Sequence, residues 1–306
     1  MTAHLRKMVL VGKKQPKIKQ KRENMLQEHI KQSVRFALFE DLGGKPIESG
    51  DITANLIPQE QMIQAVVITR EPCVLAGAEW VNETFRQLDP NVNITWLVKD
   101  GEHLQANQAI FQVSGGARAI LTGERTALNF LQTLSATATQ VATCVAELVG
   151  TRTQLLDTRK TLPGLRLAQK YAVTCGGGKN HRMGLYDAFL IKENHIMACG
   201  SIAQAIQQAK LQHSELAVEV EVENLAELTQ AIEAGADIVM LDNFTIASIE
   251  QAVKINQGRS KLEVSGNVTR ERLKVLSATG VDYISSGALT KNVNAIDLSL
   301  RVIKPS

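Results

Sequence analysis

The chain has 306 residues, 44% hydrophobic and 21% charged, an ordinary globular composition long enough for two domains or for one large α/β barrel with an appendage. No apolar run reaches the 18 or more residues of a membrane span, so a soluble protein without membrane partners is expected. The formal net charge is +3, but eight Lys/Arg fall in the first 24 residues against Glu23 alone, leaving 26 basic and 30 acidic residues elsewhere. A body of net charge −4 argues against nucleic-acid binding, as does an aromatic content of 4%.

Residues 1–24 read as a basic, flexible arm whose apolar stretch, Met8 to Val11, is too short for a signal-peptide core. Cys73, Cys144, Cys175 and Cys199 stand far apart without a C-x-x-C pair, which points to reduced thiols in a cytoplasmic protein. From Met25 to Glu40, Leu26, Ile30, Val34 and Leu38 recur at helical spacing, and Gly43-Gly44 ends the helix. An extended segment at Gln64–Arg70, a helix over Ala78–Leu88 and strands near Val92–Val98 and Ala109–Val113 follow, and a long helix runs from about Arg118 to Val149. The domain boundary is placed within that helix, giving 25–138 and 139–290.

Beyond residue 150, short apolar runs at Gln154–Leu156, Ala188–Ile191, Ala217–Val222, Ile238–Leu241, Leu262–Val264 and Tyr283–Ile284 alternate with helical segments. That alternation predicts a parallel sheet, and the lack of a GxGxxG turn after the first run favours a β/α barrel, complete or incomplete, over a doubly wound sheet. Ligands of such folds meet the carboxyl ends of the strands. Here the ends carry Asp157-Thr158-Arg159-Lys160, Lys192-Glu193-Asn194-His195, Asp242-Asn243, Ser265-Gly266-Asn267 and Ser285-Ser286-Gly287.

The run Val218–Glu223 alternates strictly, so Glu219, Glu221 and Glu223 share one face. Buried there they need cations, and Lys160, Lys192 or Mg²⁺ are the expected partners, unless they form salt bridges that merely close the barrel interior. Glu221 and Asp242 would make a hard oxygen site for Mg²⁺ completed by substrate phosphate. Arg125, Arg159, Lys160, His181 and Arg182 form a cationic set suited to a small polyanion. Gly176-Gly177-Gly178-Lys179 lacks the remaining residues of a Walker motif and reads as a flexible loop that carries His181 and Arg182 into the cleft. Ser265-Gly266-Asn267 and Ser286-Gly287-Ala288 are each expected to begin a helix, where free amides suit a phosphate.

The segments Gly123–Asn129, Asp157–Gly164, Asn180–Asp187, Ile191–Ile196, Leu241–Phe244, Ser265–Val268 and Ser286–Thr290 together resemble the quinolinate phosphoribosyltransferase family, over residues 25 to 306. The resemblance implies an N-terminal α/β sandwich domain, joined by the C-terminal segment 291–306, and an α/β barrel catalytic domain. It implies transfer of the phosphoribosyl group of phosphoribosyl pyrophosphate (PRPP) to quinolinate with decarboxylation, in NAD biosynthesis. Arg125 would reach the site of a partner copy in a homodimer, or in a higher oligomer built from it. Arg159, His181, Arg182 and Lys192 would surround the quinolinate carboxylates, with Lys160 between the two substrates. Glu221 and Asp242 would hold the PRPP ribose and Mg²⁺, and Ser265, Gly266, Ser286 and Gly287 a phosphate. The family commonly has His where this chain has Lys291, which keeps a cationic donor there. Two other readings stay open: a nicotinate or related phosphoribosyltransferase without decarboxylation, and a non-catalytic metabolite-binding member of the fold.

Overall fold

The computed structural model describes residues 23–266 and 268–305. The basic arm lies outside them, apart from its last two residues. The chain divides into two compact units, one of residues up to 100, 104–134 and 296 onward, the other of 101–103 and 135–295.

The first unit opens with helix α1 (residues 23–41), whose Ile30, Val34 and Leu38 recur every fourth residue and are buried. Gly43 and Gly44 end it at φ 61° and 71°, conformations that side-chain-bearing residues avoid. A short turn of helix, α2 (Ile47–Gly50), precedes strand β1 (Met62–Thr69), the two-residue β2 (Cys73–Val74) and helix α3 (Ala78–Leu88). Strands β3 (Asn93–Trp96), β4 (His103–Leu104) and β5 (Ala109–Gly116) follow, then helix α4 (Ala117–Ala146), within which the two units divide. The last strand of the chain, Leu298–Pro305, pairs antiparallel with β1, giving a four-stranded sheet in which β1 also pairs with β5 and β5 with β3. Trp80 and Phe85 of α3 and Phe111 of β5 are almost fully buried. Each contributes roughly 1.5–3 kcal/mol or more through removal from water.

In the second unit, six parallel strands alternate with helices. Strand β6 (Gln154–Leu156) leads to α5 (Arg166–Cys175), and β7 (Phe189–Ile191) to α6 (Glu193–Cys199) and α7 (Ile202–Gln212). β8 (Val218–Val222) is followed by α8 (Leu225–Glu233), β9 (Ile238–Asp242) by α9 (Ile246–Asn256), β10 (Lys261–Ser265) by α10 (Arg270–Ala278), and β11 (Tyr283–Ser285) by α11 (Ala288–Lys291). Leu298–Pro305 is β12. The sheet order is β6-β11-β10-β9-β8-β7. From β7 to β11 the sheet winds in one direction and then returns to β6, which is barrel-like order; a doubly wound sheet would reverse about its first strand. Among the described residues no pairing joins β6 to β7, and the free edge of β6 bridges instead to Lys179.

Alternation decides which face of the sheet meets the helices. Val218, Val220, Val222, Val239, Leu241, Leu262, Val264 and Ile284 all enter the apolar core shared with the helices. The intervening residues, among them Glu219, Glu221, Asp242, Glu263, Ser265 and Ser285, therefore lie on the opposite face. Register places Glu221 beside Met240, Met240 beside Glu263, and Ser265 beside Asp242.

Two local expectations need correction. The helix after β10 begins at Arg270 behind Thr269, so Ser265-Gly266 ends a strand and does not open a helix. The glycines 176–178 are not a flexible loop: a Cβ on Gly176 would lie 2.4 Å from the Ala138 carbonyl, and one on Gly178 2.8 Å from Val173. Gly176 and Gly178 have no room for a side chain because the turn packs directly on α4 and α5, whereas Gly177 turns the chain at φ 85°.

Candidate active site

At the carboxyl ends of these strands a cavity of about 320 Å³ is lined by Arg159 and Lys160 after β6, His181 and Arg182 from the segment before β7, and Lys192 after β7. Glu221, Met240, Glu263, Ser265 and Ser285 line it from β8, β9, β10 and β11. Sites of parallel α/β folds form at this end because loops of independent sequence converge there on a rigid sheet.

The cationic wall is prepared by a buried ion pair beneath it. Lys170 and Asp157 are both fully buried and in direct contact. The Asp157 carboxylate also accepts from Asn180 Nδ2 at 2.7 Å and from the His181 amide at 2.9 Å, while Lys170 donates to the His181 carbonyl at 3.0 Å. The backbone that presents His181 and Arg182 is thereby fixed from both sides. Burial pushes Arg182 below its ordinary range, and the neighbouring Arg159 charge adds to the effect. The Arg159 Nε is buried with no hydrogen-bond partner. Two neighbouring guanidiniums, one with an unused buried donor, can receive an anionic group in bidentate fashion.

Lys192 donates to Glu221 Oε2 at 2.5 Å. Its backbone amide donates to His195 Nδ1 at 3.0 Å, which fixes the turn into α6. Glu219 takes a partner outside the expected set of Lys160, Lys192 and Mg²⁺: His181 Nε2 lies 2.7 Å from its Oε2. The other imidazole nitrogen, Nδ1, accepts the Arg182 amide at 2.8 Å, so both ring nitrogens of His181 are engaged within the protein. Burial pushes His181 down, but the contact with Glu219 and the charges of Glu219 and Glu263 leave it above its ordinary value. Glu223 lies beyond the end of β8 and is exposed.

Lys160 approaches the Ser286-Gly287 turn closely. A Cβ on Gly287 would stand 2.6 Å from Lys160 Cδ and 3.3 Å from Thr158 Oγ1, and Thr290 donates its hydroxyl to the Lys160 carbonyl at 2.8 Å. Gly266, at φ 92°, has no room for a Cβ beside Asn243 Oδ1 at 2.4 Å. Asp242 ends β9 outside the lining of the cavity and accepts from Asn243 Nδ2 at 3.0 Å. Ser286 lines a neighbouring cavity, and Lys291, the last residue of α11, is exposed. Arg125 belongs to the first unit, where it is exposed on α4. Glu263 and Lys170 were not anticipated. The alternation Lys261-Leu-Glu-Val-Ser265 puts Glu263 on the face of Ser265 and is a readable signal, whereas nothing local marks Lys170.

As donors for a divalent cation, Glu221 and Asp242 are hard carboxylates on adjacent strands and the same face, both partly exposed. They fit Mg²⁺ only as two ligands among several, the rest supplied by a phosphate-bearing substrate. His181, Glu219 and Glu263 bring three potential ligand atoms within 4.8 Å of one another, the two carboxylates buried.

Family models described as the N-terminal and C-terminal domains of quinolinate phosphoribosyl transferase match residues 51–135 and 137–301. The chain is 40% identical over 274 residues to a probable nicotinate-nucleotide pyrophosphorylase [carboxylating] of Bacillus subtilis, covering 89% of this chain and 93% of that protein. It is 38% identical over 296 residues to quinolinate phosphoribosyltransferase [decarboxylating] 1b of Nicotiana tabacum, covering 89% and 82%. The solved nicotinate-nucleotide pyrophosphorylase of Francisella tularensis superposes with a TM-score of 0.85 at 52% identity, covering 90% of this chain and 96% of that one.

Proposed function

Because the chain belongs to the quinolinate phosphoribosyltransferase family, we propose that its cavity binds quinolinate between Arg159 and Arg182 and transfers to it the phosphoribosyl group of PRPP. The products are nicotinate mononucleotide, pyrophosphate and CO₂, a step of NAD biosynthesis. The observation that carries the reading is the pair of neighbouring guanidiniums, flanked by Lys160 and Lys192, since quinolinate presents two adjacent carboxylates.

The pyridine nitrogen uses its lone pair to form the bond to the ribose anomeric carbon as the bond to pyrophosphate breaks. The transition state is positive on the sugar and increasingly negative on the leaving group. Glu221 sits near the developing cation, its charge tempered by Lys192, and Lys160, crowded against Gly287, sits near the phosphates. Glu221 and Asp242 would hold Mg²⁺ together with PRPP, where the ion would neutralise pyrophosphate charge. Once alkylated, the ring nitrogen is positive. The C2–carboxylate bond then breaks with its electron pair left on C2, CO₂ departs, and a proton takes the vacated position. A calorimetric titration tests the clamp: quinolinate should bind at least about tenfold more tightly than nicotinate, since each charge-assisted bond contributes about 1.5–3 kcal/mol.

The active unit is a homodimer in which Arg125 of one copy completes the cavity of the other. Its exposure on α4, one turn beyond the partly exposed Leu121, supports this reading. Mixing the inactive variants Arg125→Ala and Lys192→Ala should restore about a quarter of wild-type activity, because half the dimers then carry one intact site. No restoration would mean that each site is complete within one chain. Among the described residues no helix is long and apolar enough to cross a membrane, and both substrates are small water-soluble anions.

A further inference from the structure

Resting on the assignment of quinolinate to this cavity, we propose that Glu263 is a positioning residue: as the neutral acid it donates to Glu219, and so holds His181 and Arg182 in the arrangement that receives the substrate. His181 Nδ1 accepts the Arg182 amide at 2.8 Å, so the hydrogen of the neutral ring sits on Nε2. That nitrogen is 2.7 Å from Glu219 Oε2 and 3.6 Å from Glu263 Oε2. One hydrogen thus faces two carboxylates. Glu263 has no exposed surface and Glu219 only 3%, and the Ser285 hydroxyl is a further donor beside Glu263.

Two bare carboxylates side by side in such a place are strongly disfavoured, and a proton on Glu263 supplies a hydrogen between them. The groups that face Glu263 are Glu219 from β8, His181 from the segment before β7, and Ser285 from β11, with Met240 of β9 and Tyr283 of β11 beside it in register. Burial first, and then the Glu219 charge, raise Glu263 to about 8, with the His181 charge and the Ser285 hydroxyl opposing. Below that pH, with the imidazole neutral as its acceptance of the Arg182 amide requires, the cluster carries one buried negative charge. Above it a second charge appears under a cavity that must accept a dianion, and the donor that steadied Glu219 is lost.

The test is the quinolinate KM of the full-length enzyme from about pH 6.5 to 9.5. The expected wild-type KM rises roughly five- to tenfold through pH 8, with the KM for PRPP moving less than about twofold. Glu263→Ala should raise the quinolinate KM about tenfold already at pH 7. Glu263→Gln, whose amide donates at every pH, should rescue it and abolish the alkaline rise. A flat wild-type profile, or an alkaline rise that survives in Glu263→Gln, overturns the proposal. Wild-type calorimetry at pH 8 in buffers of different ionisation enthalpy needs no variant. Net proton uptake on quinolinate binding supports the proposal, and its absence overturns it. Failure to bind quinolinate at any pH overturns the cavity assignment together with this proposal, whereas binding without pH dependence overturns the proposal alone.

Discussion

Lys170 and Asp157 form an ion pair with no exposed surface on either side chain, and the same carboxylate holds the amides of Asn180 and His181. Burial raises Asp157 and lowers Lys170, and each is held back by the other's charge. Removing one partner leaves the other unpaired in the core. Lys170→Met should therefore lower stability by about 3–5 kcal/mol in urea denaturation, and an unchanged midpoint would contradict the pairing.

Gly287 has an ordinary helical backbone, so alanine there meets no conformational barrier and acts through the crowding of Lys160 and, at 3.3 Å, of Thr158 Oγ1. Gly287→Ala should lower kcat/KM about tenfold by displacing the lysine, while the thermal midpoint moves by less than about 2 °C. A large loss of stability with normal kinetics would show that the glycine serves packing alone.

For the clamp, Arg159→Ala and Arg182→Ala should each raise the quinolinate KM by about 10- to 100-fold, the loss of roughly 1.5–3 kcal/mol. The KM for PRPP should change much less. Equal effects on both substrates would move these arginines out of the carboxylate subsite.

The raised Glu263 value also bears on stability. In the unfolded chain this carboxyl ionises near about 4.3, and in the folded chain at about 8. The folded state holds the proton more tightly, so the associated stability is fully present below the unfolded value and is lost as pH rises towards 8. The thermal midpoint of wild type should accordingly fall relative to Glu263→Gln between about pH 5 and 8. A constant difference would indicate that the carboxyl stays ionised throughout.

Much of the fold follows from local patterning. Val218-Glu-Val-Glu-Val222 alternates because one face meets the helices and the other the cavity, and Ile30, Val34 and Leu38 mark a single buried helical stripe. The strand-end residues Arg159, Lys160, Lys192, Glu221 and Ser265 were legible for the same reason, His181 and Arg182 from the glycine turn that precedes them, and the cavity gathers all of these. Pairings between distant segments were not legible. Glu219 meets His181 across 38 positions and Lys170 meets Asp157 across 13, and no local spacing encodes either choice. The triple glycine misled because glycine serves close packing as readily as mobility, and only the approach of Ala138 and Val141 distinguishes the two.

Product analysis decides between a dicarboxylate and a monocarboxylate substrate: the protein is incubated with PRPP, Mg²⁺ and either quinolinate or nicotinate. The expected result is nicotinate mononucleotide, pyrophosphate and one CO₂ per turnover from quinolinate, and no nucleotide from nicotinate. Nucleotide formed from nicotinate alone would contradict the account and leave the paired arginines without a substrate to match them.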